Sequence, residues 1–193
     1  MCWLESAAHV GEIVGGFATL LGLIFAFVSV DRWRKDRLDE RRGDAAAKVL
    51  VSLTGACGRM QGRCVLLREQ ASVTDEFVVE AAREVLALYE RLEPKITDEM
   101  IHGIQETLVA SVALLDEPET AALRDAQEAT NLFQNEMNGR LARLGVLRDR
   151  DAVARALGEM RDAMNRRVEE FAGIERRGKE ILLPIARLRA HRR

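Results

Sequence analysis

Residues 11–35 read GEIVGGFATLLGLIFAFVSVDRWRK, and the reading of Ile13–Val30 within that stretch decides the fold. These 18 residues carry no formal charge, whereas the chain after Asp31 mixes charge with regularly spaced apolar residues. A bilayer core takes about 20 residues of predominantly apolar helix, which residues 11–30 supply with Glu12 at the outer headgroup boundary. A helix buried in a soluble core is shorter or amphipathic, and this run has no polar stripe. A cleaved export signal needs a basic start and a small-residue cleavage site. Residues 1–12 contain no Lys or Arg, only Glu5, His9 and Glu12 as ionisable side chains besides Cys2, and FAFVSV has no A-x-A site. The stretch therefore reads as a permanent anchor: a short extracytoplasmic N-terminus (1–10), a transmembrane helix (11–30), a charged juxtamembrane stalk (31–48) and a helical bundle (49–193).

The flanks supply the orientation. Arg32, Arg34, Lys35 and Arg37 follow the run, with Arg41 and Arg42 beyond, and no Lys or Arg precedes it. Basic residues mark the cytoplasmic side of a span, so the bulk of the chain is expected in the cytoplasm and the N-terminus outside. Trp3 and Trp33 bracket the run 30 residues apart. On a helix that is about 45 Å, the bilayer thickness including headgroups, where indole rings concentrate. Gly11, Gly15, Ala18, Gly22, Ala26 and Ser29 recur at intervals of three and four, a small-residue face that lets another helix come close. Glycine is also simply common in membrane helices, so self-association through this face is an expectation to test.

The pattern G-E-I-V-G-G…L-L-G-L-I-F…R-W-R resembles the N-terminal anchor of many uncharacterised bacterial single-pass proteins with helical cytoplasmic domains. The likeness covers residues 11 to about 35. It implies a bacterial inner membrane and carries no activity with it.

Beyond the stalk, the expected fold is all-α: an antiparallel bundle of four to five helices ending in a long one. Val49, Leu53, Ala56, Met60, Cys64 and Leu67 follow helical spacing. A second helix is expected after Ser72 or Thr74, with Val78, Ala81, Val85, Leu88 and Leu92 inward and Pro94 ending it. Thr97 is expected to cap a third helix with the stripe Ile101, Ile104, Leu108, Val112 and Leu115. Pro118 suits the first turn of a fourth, with Leu123, Ala126, Thr130, Phe133, Met137, Leu141 and Leu144 inward. The fifth carries Val153, Leu157, Met160, Met164, Phe171, Ile174 and Ile181, with Ile185 and Leu188 as its extension, and Pro184 is expected to kink or end it.

Function is less legible. The 29 Lys and Arg nearly balance 31 Asp and Glu, which argues against nucleic acid as a partner. Cys2, Cys57 and Cys64 form no disulfide framework: seven residues of helix hold Cys57 and Cys64 about 10.5 Å apart along the axis, too far for a bridge. As helix-face thiols they read as small core hydrophobes. Glu99-Met100-Ile101-His102 is a lone E-x-x-H, whereas a di-iron bundle needs two such pairs and two further Glu. Glu99, His102 and Glu106 fall off the apolar stripe, toward solvent. No phosphate loop, dinucleotide fingerprint or nucleophile elbow occurs, so neither a cofactor nor catalysis is expected. The basic ending ARLRAHRR complements a helix dipole, with a lipid or nucleic-acid patch as the sharper alternative. The expectation is a noncatalytic, membrane-tethered interaction or scaffold protein whose partners are lipid, further copies of itself and an unidentified protein. The alternatives are a membrane-perturbing effector of the toxin or phage-defence type acting through oligomerised spans, and, behind it, an enzyme with dispersed catalytic residues.

Overall fold

The computed structural model describes residues 2–72, 77–92 and 94–187, with side chains described from residue 21 onward apart from 73–76, 92–98 and the C-terminal 188–193. The described chain is all-α, with five helices and no strand among the described residues: α1 (Cys2–Gln70), α2 (Val78–Leu92), α3 (Pro94–Ser111), α4 (Glu117–Val146) and α5 (Arg150–Arg187). It divides into two compact units, Met1–Arg41 and Arg42–Arg193. Gly43 does not interrupt α1, whose bounds enclose the whole charged stretch.

In the first unit every described side chain, from Leu21 to Arg41, is exposed. Among the described residues no helix is long and apolar enough to cross a membrane. The described part of the apolar run is Leu21–Val30, and the side chains of residues 11–20, the other half of the expected span, lie outside the described residues.

The second unit is a helical bundle around one core. From α1 it takes Val49, Leu53, Ala56, Met60, Cys64 and Leu67, the whole stripe read from spacing. Ala45 and Ala46 are also buried, so packing begins inside the segment read as stalk. Short alanines here let neighbouring helices approach before the larger side chains begin. Ser72 does not cap α2: its hydroxyl donates to the Arg68 carbonyl at 2.7 Å and closes α1, while Thr74 lies outside the described residues.

α2 buries Val78, Ala81, Ala82, Val85 and Tyr89, and the Tyr89 hydroxyl donates to Asn138 Oδ1 at 3.1 Å. α3 starts at Pro94 and not after Thr97, because a proline in the first turn lacks only an amide that would have no helical partner. Its buried residues are Met100, Ile104 and Ser111, while Val112 is 59 % exposed, not inward as its spacing predicts. The helix has ended by then, and the Ser111 hydroxyl turns back to the Thr107 carbonyl at 2.7 Å.

α4 opens at Asp116, whose amide donates to Glu119 Oε2 at 2.9 Å, and buries all seven of the residues expected of it. Thr130, fully buried, satisfies its hydroxyl on the Ala126 carbonyl at 2.7 Å. α5 is capped by Asp149, which accepts the Ala152 amide at 2.9 Å. It passes through Pro184 and continues to Arg187, so the proline neither ends it nor marks its limit. Pro184 and Glu180 are both exposed, so water can serve the Glu180 carbonyl that proline leaves without a donor. Leu182, not Ile181, takes the inward position, with Gly178 buried one turn before it.

Cross-helix pairs give directions. Asp125 meets Arg177, Glu136 meets Arg167 and Arg140 meets Glu159, so α5 runs antiparallel to α4. Gln61 bonds Glu175 and Arg68 bonds Asn165, which sets α5 antiparallel to α1 as well.

Candidate functional site

The segment Leu21–Val30 is the feature least compatible with water. Phe25 and Phe27 are 75 % and 77 % exposed, and Leu21, Leu23, Ile24, Val28 and Val30 each leave half their surface or more uncovered. Burying a Leu, Val or Phe side chain gains about 1.5–3 kcal/mol, so this decade of residues leaves a large apolar surface open. Gly22, Ala26 and Ser29 are exposed within it. Gly11, Gly15, Ala18 and Trp3 have side chains outside the described residues.

After the apolar run, charge is sorted around the helix. With Trp33 at zero and 100° per residue, Arg37, Arg41, Arg34 and Leu38 fall at about 40°, 80°, 100° and 140°. Asp39, Asp36 and Glu40 fall at about 240°, 300° and 340°, on the other side. Trp33, Arg34, Arg37, Leu38 and Arg41 border one continuous surface. The Arg37 guanidinium lies 5.5 Å from the Trp33 ring centroid, in cation–π range, and 3.8 Å from Glu40. Lys35 lies instead with Asp31, at 2.8 Å, and this hydrogen bond raises its pKa. The four basic residues read from the flank thus separate, Arg34 and Arg37 on one face and Arg32 and Lys35 on another. Counting charges along the chain misses this, whereas their angular spacing reveals it.

Arg42 belongs to the bundle. Its Nη2 donates to Glu119 Oε1 at 2.5 Å and Asp116 Oδ2 at 2.7 Å, tying α1 to the start of α4. Glu119 is buried, and its hydrogen bond with Arg42 raises the pKa of the guanidinium. A second ionic group joins α4 to α5. Arg167 Nε and Nη2 donate to Glu136 Oε2 at 3.1 and 2.9 Å, Arg140 holds the other oxygen at 2.9 Å, and Arg167 Nη1 reaches Glu170 at 2.6 Å. Burial pushes the Glu136 carboxyl up, but the hydrogen bonds from Arg167 and Arg140 outweigh it and leave the pKa lowered.

Cys57 and Cys64 are free and buried. Burial pushes both thiols up to about 12, which leaves them protonated and unreactive at neutral pH. Glu99, His102 and Glu106 are exposed, as the helical phase requires. Among the described residues no three His, Cys, Asp or Glu side chains gather as metal ligands. A shallow groove of about 530 Å³ runs along the end of α5, bordered by Gln61, Glu175, Lys179, Leu183 and Pro184. Glu175 there is engaged by Lys179 at 2.5 Å and by Gln61 at 3.5 Å. Residues 188–193, which carry most of the basic ending, lie outside the described residues.

Comparison of the chain with family models, curated proteins and solved structures finds no match.

Proposed function

We propose that this protein is a noncatalytic, membrane-tethered helical scaffold that self-associates, anchored through residues 11–30 and presenting its bundle to the cytoplasm. The observation carrying this reading is the uncharged run Leu21–Val30, exposed on every side of α1 and followed, after Asp31, by Arg32, Arg34, Lys35 and Arg37. An apolar helix with no polar face needs an apolar surround, and Ile13–Leu20 extend the uncharged sequence toward the length of a bilayer. The bundle then acts as an interaction module whose effective concentration is raised by confinement to a surface. Carbonate extraction of membranes containing the full chain tests the tether. Retention in the pellet supports it, and release of a soluble chain shortened at its N-terminus overturns it.

The small residues Gly22, Ala26 and Ser29 within the exposed run favour a second reading, a membrane-perturbing effector working through associated spans. Membrane depolarisation on induction of the intact chain, absent when Gly15 and Gly22 are replaced by Leu, selects this reading over a passive scaffold.

A further inference from the structure

The sorting of charge around residues 31–41 goes further than orientation. We propose that the face formed by Arg34, Arg37 and Arg41, edged by Trp33 and Leu38, binds the headgroup of an anionic phospholipid. The proposal rests on the tether reading above and names the lipid class that the tether recognises.

Three observations carry it. The first is geometric: the three arginine positions fall within an arc of about 60°, and Asp31, Asp36, Asp39 and Glu40 all fall outside the arc from Trp33 to Leu38, Glu40 at its edge and 3.8 Å from Arg37. An unsorted mixture of six basic and four acidic residues over 31–42 would interleave its charges and concentrate its net positive charge on no one face. The second is amphipathic: Trp33 is 59 % exposed at one edge of the arginine face, about 4.5 Å of helix beyond Val30, the depth at which an indole sits among headgroups. The third is continuity, since the arginine face begins four residues after the last residue of the uncharged run, Val30, which is about 6 Å of helix. That rise places Arg34 at headgroup depth when Val30 is at the edge of the hydrocarbon. Guanidinium matches phosphate by paired N–H donors, so arginine, used at all three positions, suits a phosphodiester better than lysine does. The lysine of the segment, Lys35, lies off this face together with Arg32 and is held by Asp31.

The test uses the full chain with Trp3→Phe, leaving Trp33 as its one tryptophan. It is reconstituted into phosphatidylcholine vesicles containing a minority of phosphatidylglycerol, which supplies the negative surface potential of an anionic leaflet. Trp33 fluorescence is quenched with brominated chains placed on either the anionic or the zwitterionic lipid at equal mole fraction. Enrichment of the anionic lipid at the arginine face predicts roughly twofold stronger quenching from brominated phosphatidylglycerol, weakening in high salt. Arg34→Gln, Arg37→Gln and Arg41→Gln together should abolish the preference, while Arg32→Gln with Lys35→Gln should retain it. Equal quenching by the two lipids in protein that floats with the vesicles overturns the headgroup proposal and leaves the tether standing. So does equal loss of preference in both variant sets, which reduces the effect to bulk charge. Failure of the chain to float with vesicles overturns the tether and the proposal together.

Discussion

Gly178 of α5 lies so close to Leu53 of α1 that a Cβ placed on the glycine would stand 2.1 Å from Leu53 Cδ2. The same Cβ would stand 3.1 Å from Ala122 Cβ on α4, so three helices converge on one hydrogen atom. Leu53 is fully buried and cannot swing aside without displacing its neighbours. Overpacking of this kind costs about 1–3 kcal/mol, more than the ~1 kcal/mol that alanine gains over glycine inside a helix. Gly178→Ala should therefore lower the midpoint of thermal or urea unfolding. Gly139→Ala, on exposed α4 surface with nothing within 4 Å of its Cβ, should raise it. Pairing Gly178→Ala with Leu53→Val should recover part of the loss, since the two sites share one space. Equal effects at positions 178 and 139 would refute the close approach.

The Glu136–Arg167 link predicts an acid dependence. The folded carboxyl has a lowered pKa, so the unfolded chain binds more protons as pH falls through the ordinary carboxylate range. The stabilising contribution is present in full at neutral pH and disappears as pH drops through the folded value. Glu136→Gln should destabilise by about 1.5–3 kcal/mol at pH 7, the size of a hydrogen bond to a charged group. It should also flatten the decline of stability with acid. Urea unfolding between pH 7 and 3 measures both, and parallel curves for wild type and variant would show that the carboxylate is not coupled to folding.

Thiol labelling tests the core of α1. With both thiols pushed up to about 12 and shielded from solvent, Cys57 and Cys64 should alkylate slowly at pH 8 in native protein and completely in denaturant. Peptide mapping after timed iodoacetamide treatment distinguishes the sites. Fast native labelling of either would mean that this face of α1 opens locally.

The proposed association of copies through small residues of the apolar run makes its own prediction. Gly15→Leu with Gly22→Leu should weaken crosslinking between copies in native membranes while membrane retention stays intact, because bulk prevents close approach without reducing apolarity. Gly22 has open space around its Cβ position within a single chain, so a leucine there meets no intramolecular obstacle. An unaltered crosslinking ladder would remove this face from the mechanism of association.

Much of the bundle is legible as linear pattern. The α4 residues from Leu123 to Leu144 and the α1 residues from Val49 to Leu67 repeat at three and four, and each lands in the core. One helix period places them, so no knowledge of a partner is needed. The exposure of Glu99, His102 and Glu106 follows from the same arithmetic. The sorting of Arg34, Arg37 and Arg41 from Arg32 and Lys35 is equally local and readable from 100° steps.

Where several apolar residues are adjacent, periodicity has more than one solution. Ile181, Leu182 and Leu183 could each continue the α5 stripe, and the close seat of Gly178 against Leu53 turns Leu182 inward. Pairings such as Arg42 with Glu119, Arg167 with Glu136 and Tyr89 with Asn138 join residues far apart in the chain. Nothing local selects them among many like charges and amides. They exist because assembled helices bring those atoms within hydrogen-bond distance, and burial makes leaving any of them unpaired costly.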